Sequence, residues 1–226
     1  MKQSAYVIIH PFMTTEQIIA EGRRLQRSCF FLRPEGSGDI AAIWYDWNLQ
    51  SRKLNSHRPL ISLDTRVIPQ NSTQMSGFAT VFVDEAKCTG GCVEILSSWP
   101  KIPGTSLYAH AANILPPIDA VFALGSESIG AWLCENNWTR KERYNENFRA
   151  AEIVKPYLEL WRREFPIFFD SDIYAAIGGW HLPGQDSDWH DLLDERLMVL
   201  TFREAEPWVE VWRMRTGQFK VIQRTT

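Results

Sequence analysis

Alternating apolar and polar positions indicate β-structure in the C-terminal quarter of the chain. The pattern predicts strands over residues 197–202, 208–214 and 219–222, separated by turns at Glu204-Ala-Glu-Pro207 and Thr216-Gly217. Residues that alternate in a strand present one face to a core and the opposite face away from it. The three runs therefore predict a three-stranded antiparallel meander.

Shorter apolar runs predict strands near the N-terminus. Residues 5–9 have the composition of a buried strand. The runs 28–32 and 40–45 flank the sequence Pro34-Glu-Gly-Ser-Gly38, which is typical of a turn. We therefore expect these two runs to pair as a hairpin.

A second hairpin is predicted in the middle of the chain, between residues 78–83 and 93–96, with Gly90-Gly91 in the connecting loop. The polar residues 46–76 before it have no clear period. The segment 100–117 after it contains four prolines, which predict an irregular connection because proline interrupts helices.

The first helix is predicted from its cap. Thr14 and Gln17 have the spacing of a capping box, in which each side chain bonds the other residue's backbone N–H. Ile18 and Ile19 follow as inward positions. These signals predict a helix that begins after Thr14 and ends near Gln26.

The clearest helical period extends over residues 144–165, where apolar positions recur at intervals of three and four. Pro156 is expected to kink this helix or to restart it. A shorter helix is predicted from Ser126, with Ile129 and Trp132 facing inward.

Strands at both ends of the chain and helices between them predict an α+β protein. We expect a mostly antiparallel sheet with helices packed on one face. A chain of 226 residues with 45% hydrophobic composition can bury one good core. A single domain over residues 1–226 is therefore predicted.

The sequence contains no apolar stretch near the length of about 18 residues that a membrane-spanning helix needs. The apolar run before His10 and Pro11 is too short for a secretory signal. The four cysteines are unevenly spread, which is typical of a reducing compartment. We expect a soluble cytoplasmic protein that does not bind a membrane.

Acidic residues are concentrated in one stretch of a chain whose formal net charge is only −3. Residues 169–195 contain no Lys or Arg and seven carboxylates, Asp170, Asp172, Asp186, Asp188, Asp191, Asp194 and Glu195. Nucleic acid is disfavoured as a ligand because phosphate binding depends on Lys and Arg. A basic partner or a cation suits this stretch better.

Catalytic and metal-binding motifs are weak in this sequence. Cys88 and Cys92 resemble half of a zinc site, but a second ligand pair is missing, so reduced thiols are the better interpretation. No Gly-x-Ser-x-Gly element and no phosphate-binding glycine loop is present. A metal-dependent hydrolase is an alternative, with a divalent metal held by His181, Asp186, Asp188 and His190.

The tryptophan content is unusual, with ten in the chain. Trp208, Glu210 and Trp212 alternate along one predicted strand and share a face, whereas Val209 and Val211 share the other. If the valines face the core, the tryptophan face is exposed unless something covers it. The cover is either another segment of the same chain or a partner protein, since tryptophan is frequent at binding hot spots.

Two further tryptophans, Trp180 and Trp189, lie within the acid-rich stretch. Aromatic anchors surrounded by carboxylates favour a basic protein partner, because the charges accelerate encounter and the rings supply buried area. A carbohydrate ligand would use the same residue types, and the sequence leaves both interpretations open.

A family resemblance points in the same direction. Gly178-Gly-Trp-His181, the Pro-Gly and Asp-rich sequence after it, and Glu206-Pro-Trp-Val-Glu-Val-Trp212 resemble the bacterial immunity proteins that accompany polymorphic toxins, of the immunity protein 52 type. The resemblance covers the C-terminal quarter. It implies a non-enzymatic cytoplasmic α+β domain, without a cofactor, that binds and blocks one toxin.

The expected partner is a basic toxin domain. The predicted binding residues are Trp180, His181, Asp186, Asp188, Trp189, Asp191, Glu206, Trp208, Glu210 and Trp212.

Overall fold

A computed structural model describes ten parts of the chain, residues 13–45, 57–67, 77–84, 90–129, 132, 149–166, 170–180, 195–200, 208–213 and 218–224. The strand predicted over residues 5–9 lies outside these parts.

The chain forms two compact units. One consists of Met1–Gln26 and Leu115–Phe165 and is helical where it is described; the other consists of Arg27–Ile114 and Pro166–Thr226 and contains the strands. The single domain over residues 1–226, and the packing of helices on one face of the sheet, stay predictions.

The second unit is built on one ten-stranded sheet in the order β10-β9-β8-β7-β1-β6-β2-β3-β4-β5. Every described pair of neighbouring strands is antiparallel. The α+β class with an antiparallel sheet is therefore confirmed. The strands are β1 (Arg27–Arg33), β2 (Ala42–Trp44), β3 (His57–Asp64), β4 (Phe78–Asp84), β5 (Gly91–Leu96), β6 (Thr105–Ile114), β7 (Ala175–Gly178), β8 (Glu195–Leu200), β9 (Trp208–Arg213) and β10 (Phe219–Arg224).

Aliphatic side chains fill the inner face of this curled sheet. Leu32 of β1 lies opposite Ala109 on one side and Ala175 on the other, and Val81 of β4 lies opposite Val93 of β5. Alternation along each strand brings these residues to one side, where they form one continuous core. Its buried members include Leu32, Ala42, Ile61, Leu63, Ala79, Val81, Leu107, Ile177, Val209, Val211 and Val221.

The two edge strands of the sheet, β5 and β10, lie against each other. A Cβ atom added at Gly91 of β5 would lie 3.1 Å from Cγ1 of Val221 of β10. The sheet therefore curls until its edges meet through side-chain packing, which encloses the aliphatic core.

Polar groups are buried on the outer face of the same sheet. The Tyr45 hydroxyl donates to Oγ of Ser62 at 2.7 Å, and Oγ of Ser62 lies 2.6 Å from Oγ1 of Thr80. All three residues are fully buried, and burial raises the pKa of Tyr45. Mutual hydrogen bonding satisfies these hydroxyls, so the sheet carries buried residues on both faces here.

Local predictions for the sheet are confirmed, and those for distant pairing are not. β4 pairs with β5 as predicted, and β8, β9 and β10 form the predicted meander. The hairpin predicted for residues 28–32 and 40–45 is wrong, because β1 pairs with β6 and β7 whereas β2 pairs with β3 and β6. The irregular connection predicted for residues 100–117 is also wrong, because it contains β6.

The first unit contains α1 (Thr15–Arg24), α2 (Ile118–Leu124) and α3 (Arg149–Glu164). Thr14 and Gln17 form the predicted capping box, so the start of α1 is confirmed. α3 continues through Pro156 without a restart. The α2 helix begins directly after Pro117, where proline's fixed φ suits a helix start, and the sequence analysis did not predict it.

Close packing joins α1 to α3. Tyr157 is fully buried, its hydroxyl donates to the carbonyl of Pro116 at 2.7 Å, and its ring lies where a Cβ of Gly22 would be. Burial raises the pKa of Tyr157. Glycine at position 22 therefore allows the ring to approach the helix backbone. Arg23 also pairs with Glu164 of α3.

No helix in the described parts of the chain is long and apolar enough to cross a membrane.

Substitution of Leu107 by Ala tests the place of β6 in the sheet. Leu107 is fully buried in the inner core, so its loss should lower the free energy of unfolding by about 2–5 kcal/mol. Asn113→Ala in the same strand is the control: Asn113 is exposed, and the hydrogen bond it accepts from Ser28 at 3.2 Å is exposed too, so the change in stability should be about 0.5 kcal/mol. Urea denaturation measures both; equal effects would place Leu107 outside the core.

Candidate functional site

Within the acid-rich stretch, the backbone turns sharply at the end of β7. Gly178 and Gly179 have φ of 74° and 78°, the left-handed region that favours glycine. Gly178 is still paired with Cys29 of β1. Two consecutive left-handed residues turn the chain out of the sheet directly before Trp180.

Gly179 also lies too close to β1 and β6 for any larger residue. A Cβ atom at this position would lie 2.5 Å from Cδ1 of Ile114 and 3.3 Å from Cβ of Cys29. Both neighbours are buried, so neither can move away easily. Backbone conformation and packing therefore both require glycine here.

Trp180 is buried and contacts Arg27 of β1. The Arg27 guanidinium carbon lies 3.6 Å from the centre of the indole ring, a cation–π contact, and the tryptophan is only 3% exposed. Burial lowers the pKa of Arg27, although the group stays charged near neutral pH. We call Gly178, Gly179, Trp180 and Arg27 the root of the acid-rich segment, residues 181–191, which follows Trp180 in the sequence.

Three predicted binding residues are buried within the chain. Trp180 and Trp212 are each 3% exposed and Glu210 is fully buried. The expectation that these side chains are exposed to a partner is therefore wrong. For the β9 face, the alternative interpretation, cover by the same chain, agrees with the burial of Glu210 and Trp212.

The two faces of β9 explain this outcome. Val209 and Val211 belong to the inner core, as the alternation predicted. On the opposite face, Nε1 of Trp212 donates to Oε2 of Glu210 at 3.0 Å. This hydrogen bond joins two buried polar groups of the same strand, which makes the pair a structural contact.

The remaining predicted residues are not placed by the structure. Trp208 lies in β9 opposite Arg224, and its side chain lies outside the described residues. The other predicted residues lie outside them altogether, namely His181, Asp186, Asp188, Trp189, His190, Asp191 and Glu206. The predicted metal site is among these, and the parts of the chain that are described contain no group of metal-ligating side chains.

Cysteine chemistry in the described residues is limited to two thiols. Cys29 is buried and Cys92 half-buried, both without a disulfide, and Cys88 lies outside the described residues. Burial raises the pKa of Cys92, with the nearby Glu94 charge acting in the same direction. A raised pKa keeps the thiol protonated and less nucleophilic at neutral pH.

Arg27 is the residue of the root that sequence reasoning missed. It precedes Trp180 by more than half of the chain, and only the pairing of β1 with β7 brings the two together. The local signal was the Gly-Gly-Trp sequence, which predicts a tight turn before an aromatic residue but not its partner.

Together, the fold and this root define an α+β protein with a curled antiparallel sheet and an acid-rich sequence after β7. No protein-family model, curated protein or solved structure matches the chain.

Two glycine substitutions separate the effect of packing at Gly179 on stability from the effect of its backbone conformation. Gly179→Ala should lower the free energy of unfolding by at least about 2 kcal/mol, because it combines a strained φ with a clash against Ile114. Gly38→Ala is the matched control: Gly38 also has a positive φ, 105°, but has nothing within 4 Å of its added Cβ. It should cost about 1 kcal/mol. Equal losses in urea denaturation would show that packing at Gly179 contributes nothing.

The buried pair on β9 gives a further test. Glu210→Ala leaves the Trp212 indole N–H without its acceptor and should lower the free energy of unfolding by about 1–3 kcal/mol. Glu210→Gln keeps a carbonyl acceptor and should recover part of this loss. Thermal and urea denaturation measure both variants. An unchanged stability in Glu210→Ala would argue against a structural role for the pair.

Proposed function

We propose that this chain is a non-enzymatic cytoplasmic binding protein, most concretely an immunity protein that neutralises a cognate bacterial toxin. Its binding surface is the acid-rich segment, residues 181–191, which follows Trp180. The observation that carries the proposal is the root of this segment, where two glycines and the Arg27–Trp180 contact fix the point at which it leaves the sheet.

A fixed root supports binding for an energetic reason. A segment that is held at one end loses less conformational freedom when it binds than a free segment does. The root contains a buried tryptophan, Trp180, and a glycine, Gly179, at which a side chain would clash. A loop that only connects β7 to β8 needs neither feature. The proposal therefore assigns the root a supporting role.

The negative charge of residues 181–191 favours a basic partner. Residues 181–191 contain three aspartates and no Lys or Arg, so they attract a basic surface and repel an acidic one. Attraction between exposed charges extends over about 10 Å at 0.1 M salt and weakens as salt is added. A basic toxin domain suits this segment, and salt-dependent association is expected.

Burial narrows the set of contact residues. Trp180, Glu210 and Trp212 are buried within the chain, so we leave them out of the proposed contact set. Trp189, with Asp186, Asp188 and Asp191, remains the proposed contact set, and His181, Glu206 and Trp208 stay as predicted members. A tryptophan among carboxylates would supply the apolar anchor that charge alone lacks.

Charge reversal in the segment tests the proposal. The double variant Asp186→Lys with Asp188→Lys should weaken binding to the proposed toxin domain, prepared in an inactive form, by about tenfold or more and flatten its salt dependence. The matched control is Glu152→Lys with Glu159→Lys, which makes the same charge change at two exposed positions of α3. It should alter affinity by less than about threefold. Calorimetric titration at two salt concentrations gives both values.

Two results would overturn the proposal. Equal weakening by both double variants would show that only net charge matters. Stoichiometric zinc or manganese in elemental analysis, lost in His181→Ala with His190→Ala, would instead favour the metal-dependent hydrolase.

A further inference from the structure

We draw no further inference here: the strongest candidate, the apolar end of the edge strand β5, where the side chain of Ile95 is 43% exposed, carries none because nothing in the described parts of the chain shows what covers it.

Discussion

Closure of the curled antiparallel sheet is the constraint on which the rest of this structure depends. Once β5 and β10 meet, the inner face is sealed and must be filled by aliphatic side chains from all around the sheet. Several outer-face positions are buried as well, including Ser62, Thr80 and Glu210. Polar groups in such positions must find partners inside the protein, which they do through the Tyr45 hydroxyl and the Trp212 indole.

The parts of the fold that could be predicted from the sequence are those that depend on neighbouring residues. Elements defined by neighbouring residues were predictable: the Thr14 capping box and the β4–β5 hairpin follow from short-range chemistry. β3 was missed because most of its residues are buried on both faces, so the alternation that normally reveals a strand is absent. β7, Ala-Ala-Ile-Gly, is too short and too small in side-chain volume to show a pattern. Pairing between β1 and β6 joins residues far apart in the chain, which periodicity does not encode.

The candidate site was likewise predictable from the sequence only in part. The sequence indicated the acid-rich stretch and Gly178-Gly-Trp-His181 as unusual features of the C-terminal quarter, and their role in binding stays a prediction. It could not show that Trp212 and Glu210 bond each other, because alternation assigns a residue to a face without showing what covers that face. Nor could it show Arg27, whose role depends on strand order. The tryptophans therefore serve different purposes: Trp180 and Trp212 stabilise the framework, and Trp189 is left as the proposed anchor.

Hydrogen–deuterium exchange tests the central claim, that a rigid sheet holds an acid-rich segment as the binding surface. Exchange is compared between the free chain and its complex with the proposed toxin domain, prepared in an inactive form. We expect residues 208–213 to be protected already in the free chain and unchanged by binding, because Val209, Glu210 and Trp212 are buried there. Residues 181–191 should gain protection only in the complex. Fast exchange at 208–213 in the free chain, with protection appearing there on binding and none at 181–191, would contradict the account.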